Sequence, residues 1–414
     1  MRRECLFAIC LAQLTMILPV EALSQTVWQM TSFPDRGTIQ ALAAHSGSDL
    51  FVGTDSVGIF RSSDNGASWI QENSGLSFHN ITSLAIDSAG TIYAGTFLGG
   101  VFRSSDNGGS WTHVNAGMGN LIVSSIVTAS GGLVFAGTTS SGVFRSSNAG
   151  ASWTQVNTGL DPFINCLAIN AQGTVFAGSN GGGVYLSTDR GTSWQQAGTG
   201  FRHSDVTSLA ISSDNILYAG SYFSGFARTS DNGANWVEGD TILVRTTITS
   251  VVVNSAGVVF AGTSNGVFRS PDNGTTFLPD NNGLPNTTVS SLAVNTFGYV
   301  FAGTVRAGIF RSVPSTTSVK VDAPGEPSAF TLDQNYPNPF NPSTTITFGL
   351  ATPGKISLRI FNVIGQEVTT LVDGQQGAGQ HTVRFDATNL PSGVYFYRLQ
   401  SGDLKETRRM VILK

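Results

Sequence analysis

Seven copies of a 41- or 42-residue unit, four short alternating segments in each, and an orphan fourth segment near the N-terminus predict an all-β chain. The expected architecture is a seven-bladed β-propeller closed by its N-terminal strand (25–312), a linker (313–329) and a small Ig-like β-sandwich (330–414). The phase is set by apolar segments ending in glycine and a hydroxyl residue, with Gly53, Gly95, Gly137, Gly178, Gly220, Gly262 and Gly303 as the glycines. A second anchor, the turn RSSDNGxSW, centres on Asp64, Asp106, Asn148, Asp189, Asp231 and Asp272. A unit this short buries its apolar face only against its neighbours.

In chain order, residues 1–24 read as a secretory signal peptide: Arg2 and Arg3, an apolar run too short for the ~20 residues of a membrane span, and an A-x-S site before Gln25. Cys5 and Cys10 leave with it, so Cys166 remains alone, as a small packed hydrophobe. In the second unit the strands are expected at 82–86, 91–95, 100–105 and 110–114. The seventh unit has Pro314 and Val319 where the turn acid and aromatic belong, so it lacks a fourth strand. Trp28 precedes Leu42 by the same interval that separates Trp153 from Leu167, so the N-terminal segment is in phase to supply it and remove the open edges.

Charged residues make up 12% of the chain against a usual ~25%, and the net charge of −4 gives no basic footprint for nucleic acid. No further apolar run suggests a membrane anchor.

The turn copies SSDNGASW (62–69), SSDNGGSW (104–111), SSNAGASW (146–153), STDRGTSW (187–194), TSDNGANW (229–236) and SPDNGTTF (270–277) resemble the Asp box, or BNR repeat, of sialidase-like propellers. Carboxylates that accept local N–H bonds, a glycine at positive φ and a covering aromatic give the turn a structural role. Asn148 in the third copy argues that charge is not required. One carboxylate per turn falls short of the ~6–8 oxygens calcium takes. The repeated Arg61, Arg103, Arg145, Arg228, Arg269 and Arg311 are expected to brace the blades. No metal or cofactor is implied, and a monomer is expected.

The last 85 residues or so resemble the type A C-terminal sorting domain of type IX secretion cargo. The resemblance rests on YPNPFNP (336–342), NVIG (362–365), LPSGVY (390–395) and the ending at 410–414. It implies engagement of the type IX secretion machinery through 330–414, outer-membrane export, and a secreted or surface-attached product.

Sialidase relatives need a tyrosine–glutamate nucleophile pair, but Glu72 and Glu238, the only glutamates between 25 and 312, follow the turn aromatic on the outer strand. Asp-box endoglucanases use two aspartates. Asp35, Asp55, Asp161 and Asp205 lie on loops opposite the boxes, and their spacing singles out no pair. The scattered histidines offer no metal-ligand spacing. The remaining expectation is a non-enzymatic binding face for glycan or protein. Arg36, Phe78, His79, Phe163, Arg202, His203 and Arg245 lie on inter-blade loops, and Phe97, Tyr222, Phe223 and Arg306 on loops between second and third strands. A glycoside hydrolase, and a scaffold resembling seven-bladed photosystem assembly factors, are the alternatives. Asp55-Ser56-Val57, Asp87-Ser88-Ala89 and Asp240-Thr241-Ile242 resemble bacterial O-glycosylation sites.

Overall fold

The computed structural model of the chain describes residues 26–313 and 331–413, apart from 36, 46, 199, 286, 287, 333, 334, 336, 337, 351, 378 and 403. The leader expected at 1–24, the linker residues from 314, Tyr336, Pro337, Lys414 and the binding-face candidate Arg36 lie outside the described residues. The chain divides into two units, Met1–Ser318 and Val319–Lys414.

The first unit is all-β and propeller-like. Its described residues form seven four-stranded antiparallel sheets. Six are built in chain order; the second, for example, runs Ile81–Ile86, Ile92–Thr96, Gly100–Ser104 and Thr112–His113. The remaining sheet joins Val289–Val294, Val300–Thr304 and Ile309–Val313 to Val27–Met30, with Trp28 opposite Ser312. First strands of successive sheets pack side by side, and the first strand of the first sheet, Ile39–Ala44, packs against Val289–Val294. The fourth strands are shorter than the sequence suggests. In the second sheet only Thr112 and His113 pair with the third strand, because the Trp111 N–H is taken by the Ser74 carbonyl at 2.8 Å.

The glycine-hydroxyl anchor has a double cause. The hydroxyls of Thr54, Thr96, Thr138, Ser179, Ser221, Thr263 and Thr304 are buried, and each donates to the glycine carbonyl that ends the following loop, as Thr96 Oγ1 does to Gly100 at 2.9 Å. The glycine makes room for the neighbouring sheet: a Cβ on Gly95 would stand 2.6 Å from Val123 Cγ1.

The turns are held as the sequence suggests, by their acids. Asp106 Oδ1 accepts from the Ser110 N–H at 2.9 Å and the Ser104 hydroxyl at 2.7 Å, and its other oxygen accepts from the Ser110 hydroxyl. In the third turn Asn148 keeps the pattern, with its Nδ2 donating to the Ser152 hydroxyl at 2.9 Å. The aromatic does more than cover a hairpin. Trp111, Trp153 and Trp194 reach back with Nε1 to the carbonyls of Glu72, Val114 and Val156 in the preceding sheet. The arginines brace forward: Arg103 donates to the Ala149 carbonyl at 2.8 Å, Arg145 to that of Arg190, and Arg311 to that of Asn65. Cys166 is buried, and burial pushes its thiol up to about 12.

The second unit pairs a three-stranded sheet, Thr331–Leu332, Ser343–Leu350 and Gly379–Asp386, with a four-stranded one, Glu367–Gln376, Gly354–Phe361, Gly393–Ser401 and Leu404–Ile412. Alternate residues such as Ile356, Leu358 and Ile360 turn inward to meet Ile346, Phe348, Tyr397 and Met410 in one core.

Candidate functional site

Antiparallel order places the loops between second and third strands on the same side as the connections from one sheet to the next. Hydrogen bonds tie the two sets together. The N–H of the first loop residue donates to the residue just before the sheet's first strand, as in Phe97 to Asn80 at 3.0 Å, Asn180 to Phe163 at 2.9 Å and Tyr222 to Asp205 at 2.9 Å. A recurrent asparagine supports this face: Asn115 Oδ1 accepts from the Val101 N–H at 2.7 Å, and its Nδ2 donates to the Gly99 carbonyl.

Six aromatic side chains of the first unit are more than a third exposed among the described residues, and five stand on this face: Phe78, Phe97, Phe163, Tyr222 and Phe223. Phe297 stands on the opposite side. The Tyr222 and Phe223 rings meet edge to face with centroids 4.8 Å apart. Leu98 (φ 71°), Phe223 (φ 56°) and Arg306 (φ 65°) hold the same loop position in three sheets. Left-handed backbone is uncommon for such residues.

Arg202, His79, Arg245 and Arg306 are exposed on this face. Arg306 also lines a shallow depression of about 550 Å³ with Met30, Leu284, Pro285 and Phe310. His203 departs from its expected place. It is buried, with Nε2 2.9 Å from Glu238 Oε2 and its ring edge-on to Phe201, so it braces a connection instead of meeting solvent. The sequence reading also passed over Leu98, Leu121 and Val244, which are exposed beside the aromatics. Leu98 carried a signal, a second large apolar residue directly after Phe97 in a short loop; Leu121 and Val244 sit beside other aliphatics, Ile122 and Leu243, and nothing in the sequence marked them as the exposed ones.

The aspartates are spread around the face. Asp35 Oδ2 and Asp55 Oδ1 flank Gly37, at 2.9 and 3.0 Å from where its Cβ would stand. Asp161 sits beside Tyr185, whose phenol is raised by burial and then by the Asp161 charge. On the turn side, Asp106, Asp189 and Asp231 are held down to about 2; the serine hydroxyls lead for Asp106 and Asp189, and the Asn235 N–H leads for Asp231.

In the second unit the motifs around 338–340 and 393–395 both meet the ending at 410–413. Asn338 Oδ1 accepts from the Val411 N–H at 2.7 Å, and the Phe340 N–H donates to the Val411 carbonyl. The Leu413 N–H donates to the Phe340 carbonyl, and the N–H of buried Asn335 donates to the Tyr397 hydroxyl oxygen. Asn362 caps the NVIG turn by accepting from the Ile364 and Gln366 N–H groups, and Tyr395 donates to the Pro391 carbonyl. Among the described residues no helix is long and apolar enough to cross a membrane.

No curated protein matches the chain. Among solved structures it is similar to YCF48 bound to D1 peptide, at 16% identity and a TM-score of 0.59 over 69% of this chain and 96% of that one. It is also similar to the extracellular domain of the hybrid two component system BT4673 from B. thetaiotaomicron, at 16% identity and a TM-score of 0.60 over 94% and 60%. A third similar structure is the GH74 xyloglucanase from Xanthomonas campestris, at 16% identity and a TM-score of 0.58 over 78% and 59%. At these identities the likeness is one of fold. Residues 334–413 match the secretion system C-terminal sorting domain family. The chain is therefore a propeller carrying a type IX sorting tail, destined for the cell surface or the extracellular space.

Proposed function

We propose that the protein is a non-enzymatic binding module: a seven-bladed Asp-box propeller, closed by its N-terminal strand, whose loop face takes a glycan or protein ligand outside the cell. An inner-membrane leader at 1–24 and an Ig-like sorting sandwich complete this reading. One observation carries it, the gathering of Phe78, Phe97, Phe163, Tyr222 and Phe223 on one exposed face. Exposed aromatics grouped in this way supply contact area at low entropic cost. The test is a glycan array and a surface-crosslinking screen with the secreted protein and its Phe97→Ala/Arg202→Ala/Tyr222→Ala/Phe223→Ala variant. A saturable ligand lost in the variant at unchanged Tm supports the reading, and a ligand retained by the variant overturns it.

A second reading, glycoside hydrolysis, draws on Asp35 and Asp55. Their oxygens flank Gly37 and lie no more than about 6 Å apart, short of the ~6.5–9.5 Å of an inverting pair, so a retaining arrangement is the one to test. Turnover of any array-positive glycan, lost in Asp55→Asn, would replace the first reading with this one.

A further inference from the structure

The seven loops between second and third strands share one frame, so their residues can be compared position by position. Each is closed by its hydroxyl latch, and the first residue of each donates its N–H to the residue before the first strand. The first two positions are polar, glycine or mixed in five loops. Only the second and fifth sheets fill both with large apolar residues, Phe97-Leu98 and Tyr222-Phe223. In both the second residue has left-handed backbone, which the fourth loop satisfies with Gly181 at φ 101°. Holding Leu98 and Phe223 there directs apolar side chains into water against a local steric preference, a combination that marks functional sites. The next connection adds an exposed aliphatic to each doublet: the Leu121 carbonyl accepts from the Gly100 N–H, and Val244 packs beside Gly225.

We infer that the loop face binds an extended peptide segment through two apolar anchors, one on Phe97/Leu98/Leu121 and the other on Tyr222/Phe223/Val244. This rests on the loop-face reading above and names its ligand class. A sugar ring wants a flat aromatic plane with polar groups at its rim. Here the Tyr222 and Phe223 rings are inclined at 68°, and Leu98, Leu121 and Val244 offer no hydrogen bond. Exposed apolar side chains rimmed by polar ones mark surfaces that meet other polypeptides. The aspartates of this face, Asp35, Asp55, Asp161 and Asp205, are half-buried, whereas Arg202, Arg245 and Arg306 are exposed and join no ion pair among the described residues, so the charges offered to a ligand are cationic and call for acidic residues between the anchors. Seven sheets packed about 10 Å apart make a ring on the order of 20 Å across, and doublets three sheets apart span most of it. An extended chain at about 3.3 Å per residue covers that span in about six residues.

The test pans random peptides of about twelve residues against the intact secreted protein, then measures the enriched peptides by fluorescence anisotropy. The expected peptides carry two bulky apolar residues about six apart with acidic residues between. Phe97→Ser/Leu98→Gly and Tyr222→Ser/Phe223→Gly should each weaken them at least about tenfold, since each removes one of two linked contacts. Glycine suits the left-handed backbone, so both variants should keep their Tm. Single-anchor peptides, or binding indifferent to one doublet, overturn the two-anchor inference and leave a loop-face ligand standing. Glycan binding without peptide binding overturns the ligand class alone. Peptides that survive the loss of both doublets overturn the inference and the loop-face reading together.

Discussion

A methyl group of Ile39 occupies the place where a Cβ on Gly303 would stand. Ile39 begins the first repeat and Gly303 ends a strand of the last. The same contact joins Gly53 to Ile81, Gly95 to Val123, Gly137 to Ile164, Gly178 to Val206, Gly220 to Ile248 and Gly262 to Val289. Each anchor glycine is the socket for a β-branched residue of the next sheet, and this explains why the motif ends in glycine.

Gly303→Ala and Gly95→Ala should therefore cost alike. An added methyl at a filled contact overpacks the core by about 1–3 kcal/mol, and Tm should drop by several degrees in each variant. If Gly95→Ala destabilises and Gly303→Ala does not, the contact between the first and last repeats does not bear load in solution.

The N-terminal strand repeats the aromatic clamp. Trp28 is buried, and its Nε1 donates to the Asp280 carbonyl at 2.7 Å, as Trp153 does to Val114. Truncation to Ala should cost about 3–5 kcal/mol, with hydrogen exchange rising first in Val289–Val313. Asp280 Oδ1 also accepts from the Thr26 N–H at 2.8 Å, and burial raises its carboxyl. A raised acid favours its neutral form in the fold. Asp280→Asn, which keeps the acceptor without the charge, should match or exceed the wild-type Tm at pH 7. Asp280→Ala orphans the Thr26 N–H and should cost about 1–3 kcal/mol.

The turn acids set the acid limit. Because Asp106, Asp189 and Asp231 are held down to about 2 in the fold, their stabilisation is complete above the unfolded carboxylate range. It is lost as pH falls through that range toward 2. Tm should be flat from pH 7 to about 5 and fall below about 4. The Asp106→Asn/Asp189→Asn/Asp231→Asn variant should fold, since Asn148 already makes the turn, and should show a shallower acid decline. An identical decline in the variant would place the acid sensitivity elsewhere.

The sheets were legible in the sequence because each is written several times, and a repeated spacing averages out local ambiguity. The pairing of the N-terminal segment with the last sheet could be read for the same reason, since Trp28 falls in phase. Contacts made once were not legible. His203 looks like any loop histidine until Glu238, 35 residues later, is brought to its ring. Phe223 could be named from its loop, but the left-handed backbone that it shares with Leu98 is an angle that sequence does not print. The partners of the tryptophan indoles lie about one repeat upstream, at carbonyls that any residue type can supply.

The sorting sandwich offers a separate test of export. Its final strand, Leu404–Ile412, is an edge strand whose Met410 and Ile412 are fully buried in the core. The motif around 338–340 grips that strand through Asn338 and Phe340. Deleting 404–414 should remove the edge and leave two core positions empty, so the protein should accumulate in the periplasm with its propeller folded. Met410→Asp, an unpaired charge in an apolar core, should act in the same way. Asn338→Ala loses one acceptor worth about 1 kcal/mol and should slow export without abolishing it. Cell fractionation with an antibody to the propeller reads all three. Normal surface delivery of the 404–414 deletion would mean that export does not depend on the folded sandwich.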